Sequence, residues 1–122
     1  MSTIQAAMSG VTFPLITALT TGTSPALAIP SSFRHHNFMI TAATGTTSGA
    51  VTIETSNDPS DAATWAAIVP DKSVANPLTV AVADLLMSYS GLLNFVRARI
   101  NTTIAGGSGP SVTVVYEGAK SY

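Results

Sequence analysis

Apolar residues recur at every second position in this chain, in short runs cut by turn chemistry, and that period fits extended strands and not helices. In "HNFMITA" the apolar positions are Phe38, Ile40 and Ala42. In "AVTIETS" they are Val51 and Ile53, with Thr52 and Glu54 opposite. "LTVAVAD" sets Leu78, Val80 and Val82 on one face, and "SVTVVYE" does the same with Val112, Val114 and Tyr116. "FVRARIN" turns Val96, Ala98 and Ile100 inward and Phe95, Arg97 and Arg99 outward. Shorter apolar runs lie at "FPLITAL", "ALAIP" and "WAAIV".

The runs add up to about eight short strands. Their breaks are Thr44-Gly45, Asn57-Asp58-Pro59, Asn76-Pro77 and the run from Gly106 to Pro110. Many short strands with regular turn signals predict an all-β single domain, a β-sandwich of jelly-roll-like or Greek-key type. One segment, residues 84–93, also has helical character: Asp84 is placed to cap a turn and Gly91 to end it. A single helical turn there stays an open alternative.

Residues 1–33 carry no charge and are rich in Thr and Ser, whereas residues 34–122 hold the clearest strands. The first part therefore reads as an N-terminal arm or edge segment on a sandwich body, within one domain overall. Its apolar positions Ile4, Val11, Phe13 and Leu15 are interface candidates, suited to lying on a neighbour or covering a sheet edge. The arm lacks the basic start and continuous apolar run of a signal peptide, and no window is long enough for a membrane helix.

The surface these strands present is short of charge. Of the 122 residues only 9% are charged, against about 25% in ordinary soluble domains, while 46% are hydrophobic. Net charge is -1 with five basic residues, too few for the phosphate contacts that carry nucleic-acid affinity or for an anionic membrane surface. The chain has no cysteine, so disulfides, thiolate metal sites and thiol catalysis are excluded.

Single residues point to contact more than to chemistry. Asn57, Asp58 and Asp61 fall short of the six to eight oxygens that calcium takes and read as turn caps. Adjacent His35 and His36 project to opposite faces of a strand, so they do not share a metal ion; with Arg34 they read as a polar strand end or interface contact. Arg97 and Arg99 share a strand face, about 6–7 Å apart, and are placed either to pair with Glu54 or Glu117 across the sheet or to meet a carboxylate on a neighbour. Trp65, Tyr89 and Tyr122 raise a sugar platform as the alternative to rim packing. No nucleophile elbow, phosphate loop or carboxylate pair is present, so no enzyme and no cofactor is expected.

The segment "GAVTIETSNDPSDAATWAAI", followed by "LLNFVRARI", a Gly-rich loop and "SVTVVYEG", resembles small β-sandwich domains of tailed-bacteriophage virions. The resemblance spans residues 49–118. It implies a structural or adhesive role on the virion, above all that of a capsid decoration (cement) protein on the major capsid protein, as a homo-dimer or trimer. A tail or neck component, or a carbohydrate-binding adhesin module, is the alternative. The expected partners then include neither nucleic acid nor membrane.

Overall fold

The computed structural model describes residues 11–60, 63–71, 75–80 and 85–120, with the side chains of Val11 and Lys120 left aside. These residues form ten strands and no helix. They are β1 (Val11–Leu19), β2 (Gly22–Thr23), β3 (Leu27–Ala28), β4 (Phe33–Ala42), β5 (Thr46–Ser56), β6 (Ala66–Ala67), β7 (Leu78–Thr79), β8 (Leu85–Ser90), β9 (Phe95–Gly106) and β10 (Val112–Lys120).

Two antiparallel sheets result, a β-sandwich. The first has the order β1-β10-β4-β8. In the second, β9 and β5 pair centrally, β2 and β3 add to the free edge of β9, and β6 and β7 add to that of β5. The long strands after β3 alternate between sheets, β4 and β8 in the first, β5 and β9 in the second, with β10 returning to the first. Every long pairing is therefore non-local, and β10 closes the first sheet by inserting between β1 and β4.

The alternating sets meet between the sheets. Phe38, Ile40, Val112, Val114 and Tyr116 come from the first sheet, and Val51, Ile53, Val96, Ala98 and Ile104 from the second, all buried. Each large apolar side chain removed from water contributes about 1.5–3 kcal/mol, which makes this layer the main source of stability. Within the second sheet, where register shifts flank Ser48 and Ala50, β9 comes so close to β5 that Gly49, at φ +132°, leaves no room for a side chain: a Cβ there would lie 2.4 Å from Ile104 Cδ1.

Residues 11–33 lie at sheet edges. β1 pairs with β10, while β2 and β3 pair with β9. Register shifts on either side of Ile16 break the alternation, so neighbours Leu15 and Ile16 are both buried. Leu15 thus belongs to the chain's own core at 7% exposure, whereas Phe13 stays 44% exposed. Ile4 lies outside the described residues.

The open alternative at residues 84–93 resolves against a helix. Leu85–Ser90 is strand β8, paired with β4 from Leu85↔Ile40 to Ser90↔His35. The edge of β4 offers it a hydrogen-bonding partner, and period 2 sends Met87 into the core; pairing outweighs a weak local capping signal. Asp84 lies outside the described residues.

Candidate functional site

The two outer faces of the sandwich differ in kind. On the second sheet, Glu54 stands directly opposite Arg97, with Arg99 one step along the same face. Arg97 Nε donates to Glu54 Oε1 at 2.8 Å and Arg99 Nε to Oε2 at 3.1 Å, so one carboxylate bridges both arginines. The Arg97 guanidinium also lies over the Trp65 ring, 4.3 Å from its centroid. Trp65 Nε1 donates to the Ser60 carbonyl at 2.9 Å, which fixes the ring at the rim. Arg97 and Arg99 thus take the cross-strand partner Glu54; Glu117, on the other sheet, takes no part.

Asp58 caps the turn after β5, whereas Asn57 reaches across to the residue before β9. Asp58 Oδ1 accepts from Ser60 N at 2.9 Å and Asn57 Oδ1 from Asn94 Nδ2 at 2.7 Å. Among the described residues no group of three or more His, Asp and Glu comes together as a metal site. Asp61 and Tyr122 lie outside the described residues.

At the end of the first sheet the two histidines part, as adjacent strand residues must. His35 faces outward beside Ser90. His36 is buried, between the Tyr116 hydroxyl and the Gly91 carbonyl. Burial pushes its pKa below the usual value, against the raising effect of the Gly91 carbonyl, and neighbouring His35 and Arg34 lower it further. Arg34 donates to the Ser31 and Phe33 carbonyls and so closes the turn before β4. Nearby, hydrogen bonds from the Ser90 hydroxyl and backbone N–H hold the Asp71 carboxyl below its usual pKa, and Asp71 N donates to the Ser88 carbonyl at 2.9 Å. That loop covers part of the free edge of β8.

The outer face of the first sheet carries a row that crosses all four strands: Pro14, Val115, Met39 and Leu86, in register. Every member is apolar, and Met39 and Leu86 are 42% and 50% exposed. A polar row of Thr12, Glu117, Asn37 and Ser88 lies on one side, and Thr113 with Thr41 on the other. A shallow groove runs between the apolar row and the polar row. An antiparallel sheet open to water ordinarily shows a polar outer face, so this row is the feature that most needs an explanation.

Period-2 reasoning overlooked this row because it assigned each second residue outward without asking whether it was polar. The signal was present as uninterrupted apolar triplets, Phe38-Met39-Ile40 and Leu85-Leu86-Met87. Also unforeseen is Asn76, whose side chain pairs with a strand. Its Nδ2 donates to the Ile53 and Ile68 carbonyls and its Oδ1 accepts from Ile53 N, all within 3.1 Å.

An all-β sandwich with a paired charged cluster on one outer face and an apolar row across the other defines the class of molecule. Among solved structures, it is similar to the SPBc2 prophage-derived protein YomS, with a TM-score of 0.65 and 13% identity over 88% of this chain and 90% of that one. At that identity the likeness is one of fold. No family model matches the sequence, and no curated protein matches it.

Proposed function

We propose that this chain is a structural protein of a tailed-bacteriophage virion, a head decoration protein that adds to the major capsid protein lattice as a homo-oligomer. The single observation that carries the reading is the uncharged apolar row across the outer face of the first sheet, open to water in the isolated chain. A surface of that kind is suited to burial in an assembly, since interface cores are depleted in charge. The shared fold with a prophage-derived protein along most of both chains supports the phage setting.

The action is mechanical. A contact that exists only in the assembled shell stabilises the shell by linkage, and symmetry repeats the contact many times. The adhesin alternative is less well supported, because one face of Trp65 is covered by Arg97 and its N–H is bound to Ser60.

The test is addition of the purified chain to undecorated heads of a tailed phage, with bound copies counted by gel densitometry and cryo-electron microscopy. Saturable occupancy and a higher temperature of head disruption are expected. Binding to purified tails and not to heads would move the protein to the tail or neck, and binding to neither would overturn the virion reading.

A further inference from the structure

The geometry points to a specific occupant for this face: we propose that the apolar row of the first sheet takes the same row of a second copy of the chain. The inference rests on the face being a contact surface, as above, and not on the phage assignment.

Self-recognition requires a face compatible with itself, and like charges brought together would oppose it. Among the described residues of the apolar row and the rows on either side, Glu117 is the only charged one. Consider a two-fold axis along the apolar row. Met39 then meets Met39 and Leu86 meets Leu86, while the polar row of each copy lies over the threonine row of the other. Glu117 comes opposite the hydroxyl of Thr113 in the second copy, where a donor meets a carboxylate and, among the described residues of these rows, no second carboxylate is near. The outer face of the second sheet lacks this property, because Arg97 and Arg99 bring two like charges onto it, both bonded to Glu54.

The area sets the strength. Four strands about 4.8 Å apart, over three rows each two residues deep at about 3.4 Å per residue, give a footprint of about 390 Å² per copy. Two copies bury about 800 Å² of flat area, and side-chain relief raises this toward the roughly 1,000 Å² that a specific interface must clear. The standard interface is about 1,600 Å². A dimer that dissociates on dilution is therefore expected, one that a lattice would favour by raising local concentration.

The chain has no cysteine, which allows a clean test by single-cysteine cross-linking. In the full chain, Met39→Cys under mild oxidation should give a disulfide-linked dimer. Val69→Cys is the control: Val69 is 79% exposed in a loop, so random collision would favour it over Met39. Sedimentation of the wild type from about 1 μM to 1 mM should show mass rising toward two copies, and Met39→Lys with Leu86→Lys should abolish the rise without changing the thermal melt.

A wild type that stays monomeric throughout overturns the proposal. So does a dimer that the lysine variants leave intact, or cross-linking of the Met39→Cys chain no greater than that of the Val69→Cys chain. If the lysine variants do not fold, the cysteine comparison alone decides. Dimers that fail to add to phage heads would sink the virion reading and leave this inference standing, whereas head binding by a strict monomer does the reverse.

Discussion

The Tyr116 oxygen lies 2.7 Å from His36 Nδ1, reaching diagonally across from β10 to β4. Tyr116 is in register with Phe38, and it passes over Gly118, the register partner of His36. A Cβ at Gly118 would sit 2.1 Å from that hydroxyl, so glycine is what lets the bond form. On the far side of the ring, His36 Nε2 lies 2.8 Å from the Gly91 carbonyl. A carbonyl only accepts, so Nε2 carries the proton, and the neutral ring accepts at Nδ1 from the tyrosine. Every polar atom of this buried pair has a partner.

Removing the donor should therefore cost more than a surface hydrogen bond. Tyr116→Phe leaves His36 Nδ1 buried without a partner, and a loss of about 1–3 kcal/mol is expected. The measurement is the urea midpoint at constant slope. An unchanged midpoint would mean that water or a rearranged ring satisfies the nitrogen.

The same burial gives stability a direction in pH. In the fold the pKa of His36 is held below its ordinary value of about 6.5, chiefly by desolvation. Between the two values the unfolded chain binds the extra proton, so stability rises with pH through this window. The contribution is complete above about 6.5 and is lost as pH falls toward the folded value. Asp71, His35 and Arg34 are the charged neighbours. The Asp71 carboxyl, also lowered, acts in the same direction but only near and below its own ordinary value of about 3.9. Denaturation midpoints at pH 5 to 8 should fall on the acid side in the wild type and flatten in His36→Gln.

Asn76 takes the place of a strand residue. Its side chain bonds both backbone groups of Ile53, between the short pairings of β6 and β7 with β5. Asn76→Ala should cost about 2–3 kcal/mol through these bonds. Asn76→Asp should do no better, because it keeps the acceptor but sets a carboxylate against two carbonyls. Amide exchange at Ile53 N–H, expected to quicken in both variants, reads the local effect.

Glu54 and its arginines should respond unequally. Glu54 is 8% exposed and Arg97 13%, whereas Arg99 is 42% exposed. Glu54→Ala takes from the nearly buried Arg97 the carboxylate opposite it and from Arg99 its pair, a loss of about 3 kcal/mol. Arg99→Ala breaks only a solvent-screened pair and should stay within about 1 kcal/mol. Thermal unfolding of the two variants side by side checks the order, and equal losses would mean that Arg99 is more constrained than its exposure indicates.

Much of the sandwich was legible because strand period and turn residues are local. Phe38, Ile40, Val51, Ile53, Val112 and Val114 all face the core as alternation predicts. The Asn57-Asp58-Pro59 turn returns the chain to β6 as a hairpin with β5, again through local backbone chemistry. β8 was obscured because Asp84 and Gly91 resemble helix ends, and only the open edge of β4 decides otherwise. The pairing of Arg97 and Arg99 with Glu54 was foreseen as one of two options, since cross-strand partners cannot be chosen without the register.

The sequence by itself determined an all-β chain, poor in charge, with alternating apolar positions set on one face of each strand. Tertiary structure alone decided which strands are neighbours, since the pairings β1–β10, β10–β4, β4–β8 and β5–β9 join segments far apart in the chain. Register then lined up Pro14, Val115, Met39 and Leu86 into one row and brought Tyr116 to His36. Period 2 states which side of a strand a residue takes but carries no information about the strand beside it, and a surface exists only once that neighbour is fixed.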